Sequence, residues 1–138
     1  MEARKMAICD KDQNSLAYYS KEIERGFFKY WMRVECRMFS DPEKLFETVR
    51  MGEEYELYFL DFSIPKISAP ELAERILKEQ PESPIVFSSV RENDIFKTFH
   101  VQPFGFIRKQ KMSEDIEKVI WEYASWCAKY EKQIYRNR

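Results

Sequence analysis

Residues 56–65 read ELYFLDFSIP: the apolar run Leu57, Tyr58, Phe59 and Leu60 ends on a carboxylate, Asp61, and Pro65 follows shortly after. A strand apolar at every position is what a parallel sheet covered on both faces requires. A carboxylate that closes such a strand is costly unless its charge is compensated. Asp61 therefore reads as a solvated strand end, a core acid with a partner, or a group placed for chemistry.

Working outward, the flanking segments alternate between strand and helix periods. Residues 5–9 read as a strand, and 13–29 as a helix with Leu16, Tyr19, Ile23 and Phe27 on one face. A more exposed strand is expected over 32–39. Ser40 and Glu43 suggest a capping box around Pro42, opening a short helix with Leu45, Phe46 and Val49 buried. Leu72, Ile76 and Leu77 mark the next helix, 84–89 (PIVFSS) a buried strand, 92–99 a short helix and 105–108 a short strand. The last helix, about 113–136, carries Ile116, Val119, Ile120, Tyr123, Cys127, Tyr130 and Ile134 at helical spacing. Five strands alternating with five helices imply a doubly wound α/β sandwich, whose ligands sit beyond the carboxyl ends of the strands.

The 138 residues fit one compact domain, with 44% hydrophobic residues to fill a core. The 23 basic and 24 acidic residues nearly cancel, which argues against direct nucleic-acid binding. No segment has the length and apolarity of a signal peptide or membrane span, so a cytoplasmic protein with no membrane partner is expected. Cys9, Cys36 and Cys127 are odd in number and set in apolar surroundings, which suits buried thiols better than disulfides or zinc. His100 is the only histidine and excludes chemistry needing a pair.

The carboxyl-end rule makes candidates of the strand-terminal residues: Asp10 with Asp12, Asp61, Ser88 with Ser89, and Lys109. Carboxylates on adjacent strands repel unless a cation lies between them, so Asp10 with Asp61 reads as a hard-metal site, with Mg²⁺ the expected ion. A hydroxyl and an ammonium opposite suit an incoming phosphoryl group, which a carboxylate can accept as nucleophile.

These pieces, ICDKD, YFLDFSIP, PIVFSSV and PFGFIRK, make the chain from Met6 to about Tyr130 resemble the receiver domain of two-component response regulators. The stretch VRENDIFKTFHVQPFGFIRK resembles receivers that precede a LytTR-type DNA-binding domain. The resemblance implies a CheY-like, flavodoxin-like sheet of order 2-1-3-4-5. It implies Asp61 as phosphoacceptor, with Mg²⁺ held by Asp10, Asp61 and the Ser63 backbone carbonyl. Ser89 would contact the phosphoryl group, Lys109 would pair with it, and Phe106 would be the aromatic switch. The donor would be a sensor histidine kinase, and the output a change on the face formed by the last helices and strand five. Such a protein is a phosphoacceptor with self-dephosphorylation rather than a conventional enzyme. A homodimer through the last helix and strand-five face, and DNA reached only through an absent output domain, are the implied partners. The length and aromatic content of the last helix suggest a piece of a longer transcription regulator.

Departures from the pattern surround the site. Lys11 stands where a second adjacent acid is usual, so either Asp12 reaches the metal, or Lys11 pairs with Asp61, or Lys11 points outward. Gln110 replaces a proline after the lysine, and a cis bond before a non-proline costs about 3 kcal/mol, so trans is expected. Ala69, Pro70 and Val90 also differ from the pattern. Two other readings follow: a degenerate receiver that binds metal poorly and serves as an interaction module, and a phosphatase resembling haloacid dehalogenases with Asp10 as nucleophile and Asp12 as acid/base.

Overall fold

A computed structural model describes the backbone of residues 2–136 and the side chains of residues 2–130. Five parallel strands form one sheet: β1 (Arg4–Cys9), β2 (Val34–Phe39), β3 (Leu57–Asp61), β4 (Ile85–Ser89) and β5 (Gly105–Arg108), in the spatial order β2-β1-β3-β4-β5. The expected doubly wound order is the one observed. Helices α1 (Gln13–Phe28) and α4 (Met112–Arg136) cover one face. Helices α2 (Pro42–Arg50) and α3 (Ala69–Glu79) cover the other. β3 and β4 are buried at every position, as the ELYFLD and PIVFSS runs demanded.

Alternation sorts the side chains between the two faces. Met6, Ile8, Leu57, Phe59, Val86 and Ile107 pack under α1 and α4, against Leu16, Tyr19, Ile23, Phe27, Ile116, Val119, Ile120 and Tyr123. Ala7, Cys9, Tyr58, Leu60, Ile85 and Phe87 pack under α2 and α3, against Leu45, Val49, Leu72, Ala73 and Ile76.

Three local expectations are corrected. The cap of α2 is Asp41 rather than Ser40: with Pro42 opening the helix, the Asp41 carboxylate accepts from Glu43 N at 3.0 Å. β2 begins at Val34 rather than at 32, because the chain leaves α1 through a left-handed turn at Trp31 that returns Met32 N to Phe27 O at 3.2 Å. The helix expected over 92–99 is two 3₁₀ turns, Glu92–Lys97 and Phe99–Val101. Its aromatics, Phe96 and Phe99, are exposed and the residue turned inward is Asp94, so no apolar stripe sustains an α-helix there.

The chain runs from β5 through a 3₁₀ turn (Lys109–Lys111) into α4, with no cis peptide bond among the described residues, as expected at Gln110. Among the described side chains of α4 the last buried one is Cys127, while Trp121, Trp126 and Tyr130 are about half exposed. Ile134 lies outside the residues whose side chains are described. No described helix is long and apolar enough to cross a membrane.

The start of α4 is tied to β5 by Asp115, which accepts from Arg108 N at 2.8 Å and from the Arg108 guanidinium at 2.9 Å through both oxygens. Those bonds hold the Asp115 carboxyl below its ordinary value of 3.8, against the opposing effect of burial. A depressed folded-state value stabilises at pH above the unfolded value and is lost as pH falls through the folded one. Asp115→Asn is therefore expected to lower the urea midpoint at pH 7, and the gap from wild type to close below about pH 4. A gap unchanged down to the acid transition would refute this account.

Candidate functional site

Strand parity brings the site together before any loop does. Asp10 continues the face of Met6 and Ile8, Asp61 that of Leu57 and Phe59, Ser88 that of Val86, and Lys109 that of Ile107. All four project on the α1–α4 side, at the carboxyl edge. In register, Cys9 stands beside Leu60 and Asp61 beside Ser88.

Asp10 is fully buried and Asp61 is 3% exposed. The Lys109 ammonium lies 2.9 Å from Asp10 Oδ2 and 3.0 Å from Asp61 Oδ1. Asp61 Oδ1 also accepts from Ser88 Oγ at 2.6 Å, and Asp61 Oδ2 accepts from Ser63 N at 2.9 Å. Asp10 Oδ1 accepts from Asp12 N at 2.9 Å and from Ser63 Oγ at 3.3 Å. Every oxygen of the two buried carboxylates thus has a protein donor, which answers how an apolar strand can close on a charge.

Burial works to lower the Lys109 affinity for its proton, but the bond to Asp10 and the nearby Asp61 charge outweigh it, so the ammonium is held more firmly than in water. The neighbouring Cys9 thiol is pushed up to about 12, by burial first and by the charges of Asp10, Asp41 and Asp61 after it. It is an inert core thiol rather than a nucleophile.

The remaining sequence candidates fall as follows. Asp12 is exposed and caps α1, accepting from Asn14 N at 3.2 Å and Ser15 Oγ at 3.1 Å, which together hold its carboxyl below the ordinary range. Those cap bonds, rather than any to Asp10 or Asp61, are the ones its carboxylate makes. Lys11 is exposed, and Lys109, not Lys11, is the cation on Asp61. Ser89 has the opposite parity from Ser88 and is turned away from Asp61: its hydroxyl donates to Asp94 Oδ2 at 2.6 Å and accepts from Arg91 N at 3.0 Å. Asp94 is buried and also paired with Lys97 at 3.1 Å. Phe106 is partly buried, with its ring centroid 6.4 Å from that of Phe62. Gln110 bonds to the Val90 carbonyl, tying the two loops that flank the site.

Sequence reading missed the contact of Ser88 with Asp61 and the latch of Asp94 on Ser89. Parity carried the first signal, since only Ser88 shares a face with Asp61. Tyr19, 1% exposed on the same face, has its hydroxyl near Ser88 but outside hydrogen-bond geometry, and burial raises its proton affinity.

As to a cation, the donors fit a hard metal in kind, being oxygens of two buried carboxylates that share one ammonium and keep a net negative charge. In number they are one acid short, and no group of three or more His, Cys, Asp or Glu arranged to hold a metal occurs among the described residues.

No protein-family model and no curated protein matches the chain. Solved structures do. The response regulator DrrB of Thermotoga maritima, an OmpR/PhoB homolog, is 18% identical with a TM-score of 0.69 over 85% of this chain, which spans 50% of that longer protein. A CheY-like receiver domain from Methanospirillum hungatei is 17% identical with a TM-score of 0.74, covering 94% of this chain and 99% of its own. A Burkholderia pseudomallei response regulator with a phosphorylated aspartic acid, a calcium ion and citrate is 14% identical with a TM-score of 0.70, over 93% of this chain and 72% of its own. The fold is that of response-regulator receiver domains.

Proposed function

We propose that the chain is a receiver module of two-component signalling, in which Asp61 accepts a phosphoryl group from a phosphohistidine of a sensor kinase. The observation that carries this reading is the convergence of buried Asp10, Asp61 and Lys109 within 3.0 Å contacts at the carboxyl edge of a 2-1-3-4-5 sheet. A carboxylate oxygen of Asp61 attacks phosphorus, the bond to the donor nitrogen breaks, and the electron pair leaves with the imidazole. Ser88 and Lys109 hold Oδ1, and Oδ2, with a single backbone donor, is the freer atom for attack. Lys109 is placed to exchange part of its contact with the carboxylates for the incoming phosphoryl oxygens.

Asp10, Asp61 and the Ser63 carbonyl are the groups that would hold Mg²⁺, whose bound charge would offset that of the transferred group. Because Lys11 replaces an acid, the affinity is expected to be low. Ser89 must leave Asp94 before its hydroxyl can meet a phosphoryl oxygen, and Phe106 can then repack beside Phe62 as the output switch. The output is proposed to be transcriptional, through a domain outside this chain, its LytTR type resting on the sequence resemblance alone; the donor kinase, and a homodimer through α4 and β5, complete the reading. A metal-poor interaction module is the second reading, favoured by Lys11 and by an ammonium that already spans both carboxylates.

The test is a titration with Mg²⁺ of acetyl phosphate, read by covalent mass, and of beryllofluoride, read by fluorescence. Incorporation in wild type and none in Asp61→Asn is the expected result. No response in wild type, or an equal one in Asp61→Asn, would sink the phosphoacceptor reading. Lys11→Asp is expected to tighten Mg²⁺ binding about tenfold or more, since it replaces a repelling charge with a hard ligand. Indifference to that change counts against the cation site.

A further inference from the structure

The turn from α1 to β2 carries Phe28-Lys29-Tyr30-Trp31, and all four residues are exposed. Phe28 is 70% and Trp31 85% exposed. The helix ends normally in its hydrogen bonds, with Trp31 N on Phe28 O at 3.1 Å and Met32 N on Phe27 O at 3.2 Å. Its closing residue, however, has φ of 60°, the left-handed conformation in which glycine is the usual occupant. The chain thus places its bulkiest type of side chain where the smallest fits best, and leaves it in water. The left-handed backbone opposes folding and an indole left in water adds no burial to offset it, so the stability of the domain does not explain the residue.

The segment that forms the tip carries positive charge, and the nearest acids lie on its flank, where Glu22 of α1 and Glu117 of α4 line one recess with Arg25 and Lys29. Arg25, Lys29 and Arg33 are exposed, and no ion pair of theirs occurs among the described residues. No acidic residue lies between Arg25 and Val34. Glu24, next before them, is turned inward, accepting from Cys36 N at 3.1 Å and Ser20 Oγ at 3.3 Å. On a chain of net charge −1, the α1–β2 tip is a cationic and aromatic projection. Because α1 runs back against the strands, the tip lies at the amino edge of the sheet, at the end opposite Asp61.

We propose that this tip is a peripheral docking surface for an anionic lipid bilayer. Trp31 and Phe28 enter the interfacial zone, where aromatic rings are favoured, and Tyr30 keeps its hydroxyl among the headgroups. Lys29 and Arg33 face the lipid phosphates, while Arg25 sits farther back beside Glu22 and Glu117. This contact lies on the membrane and needs no spanning helix, so the absence of a span, from which no membrane partner was expected, does not bear on it. Docking at the amino edge leaves the Asp61 edge open to a partner, and the proposal stands whether or not Asp61 is phosphorylated.

The experiment is co-sedimentation of the full chain with vesicles of phosphatidylglycerol and phosphatidylcholine, beside vesicles of phosphatidylcholine alone, at low and high salt. Binding to the anionic vesicles that weakens with salt is expected, falling about fivefold for each of Lys29→Gln and Arg33→Gln. Trp31→Gly gives the decisive contrast: it should raise the urea midpoint, by relieving the left-handed strain, while lowering vesicle affinity. A structural role for Trp31 predicts the opposite sign for stability. Equal binding to both vesicle types, or wild-type affinity in Trp31→Gly, overturns the proposal. So does concentration-dependent self-association that Trp31→Gly abolishes without any vesicle binding, which would assign the tip to a second copy of the chain.

Discussion

Lys109→Gln is expected to destabilise the fold by about 3–5 kcal/mol at neutral pH, the cost of removing one partner from a buried ion pair. Asp10 and Asp61 are 1% and 3% exposed at their side chains, and the ammonium between them is the only cation within 4.0 Å of either among the described residues. Without it, two carboxylates face each other with backbone and hydroxyl donors alone. Urea unfolding of wild type and variant measures the loss. The double variant Asp61→Asn/Lys109→Gln restores the net charge of the cluster, and is expected to recover more than about half of it. A loss below about 1 kcal/mol, or no recovery in the double variant, would mean that solvent screens the cluster far more than its burial implies. The same ammonium holds the candidate nucleophile and counters its charge, so stability and phosphoryl acceptance are expected to fall together.

Phe87→Ala is expected to cost about 3–5 kcal/mol, while Phe96→Ala changes stability by no more than about 0.5 kcal/mol. Phe87 is fully buried in the core under α2 and α3, its ring centroid 5.9 Å from that of Phe62. Phe96 is 68% exposed on a 3₁₀ turn. Truncating Phe87 leaves a cavity beside Phe62, the residue that follows Asp61; truncating Phe96 removes surface that water already covers. Chemical denaturation of both variants tests the pair, and similar losses in the two would contradict this assignment of core and surface.

The contrast between those phenylalanines shows what could be read along the chain. PIVFSS and ELYFLD are short, apolar at every position and closed by polar residues, and that pattern belongs to strands covered on both faces. Parity along a strand is local, so it was legible that Asp10, Asp61, Ser88 and Lys109 share one face. NDIFKTFHV gave a weaker signal: its apolar residues were legible, but not that Asp94 would turn inward to hold Ser89 and leave Phe96 outside. Likewise Ser40 and Asp41 were both competent caps, and only the path of the chain into Pro42 selected the second.

At the site, residue types and edge position were therefore decided by the sequence, and pairings by the tertiary structure. Resemblance selected Ser89 as the hydroxyl for a phosphoryl group; the register of β3 against β4 sets Ser88 on the Asp61 carboxylate, and Asp94 holds Ser89. Three fates were open to Lys11; the turn after β1 leaves it exposed and admits Lys109, from the far end of the chain, between the two acids. The reason is one of range. Apolar periodicity and strand parity arise from neighbours along the chain, whereas the partner of a buried charge is chosen by strand register and loop path, which no local stretch contains.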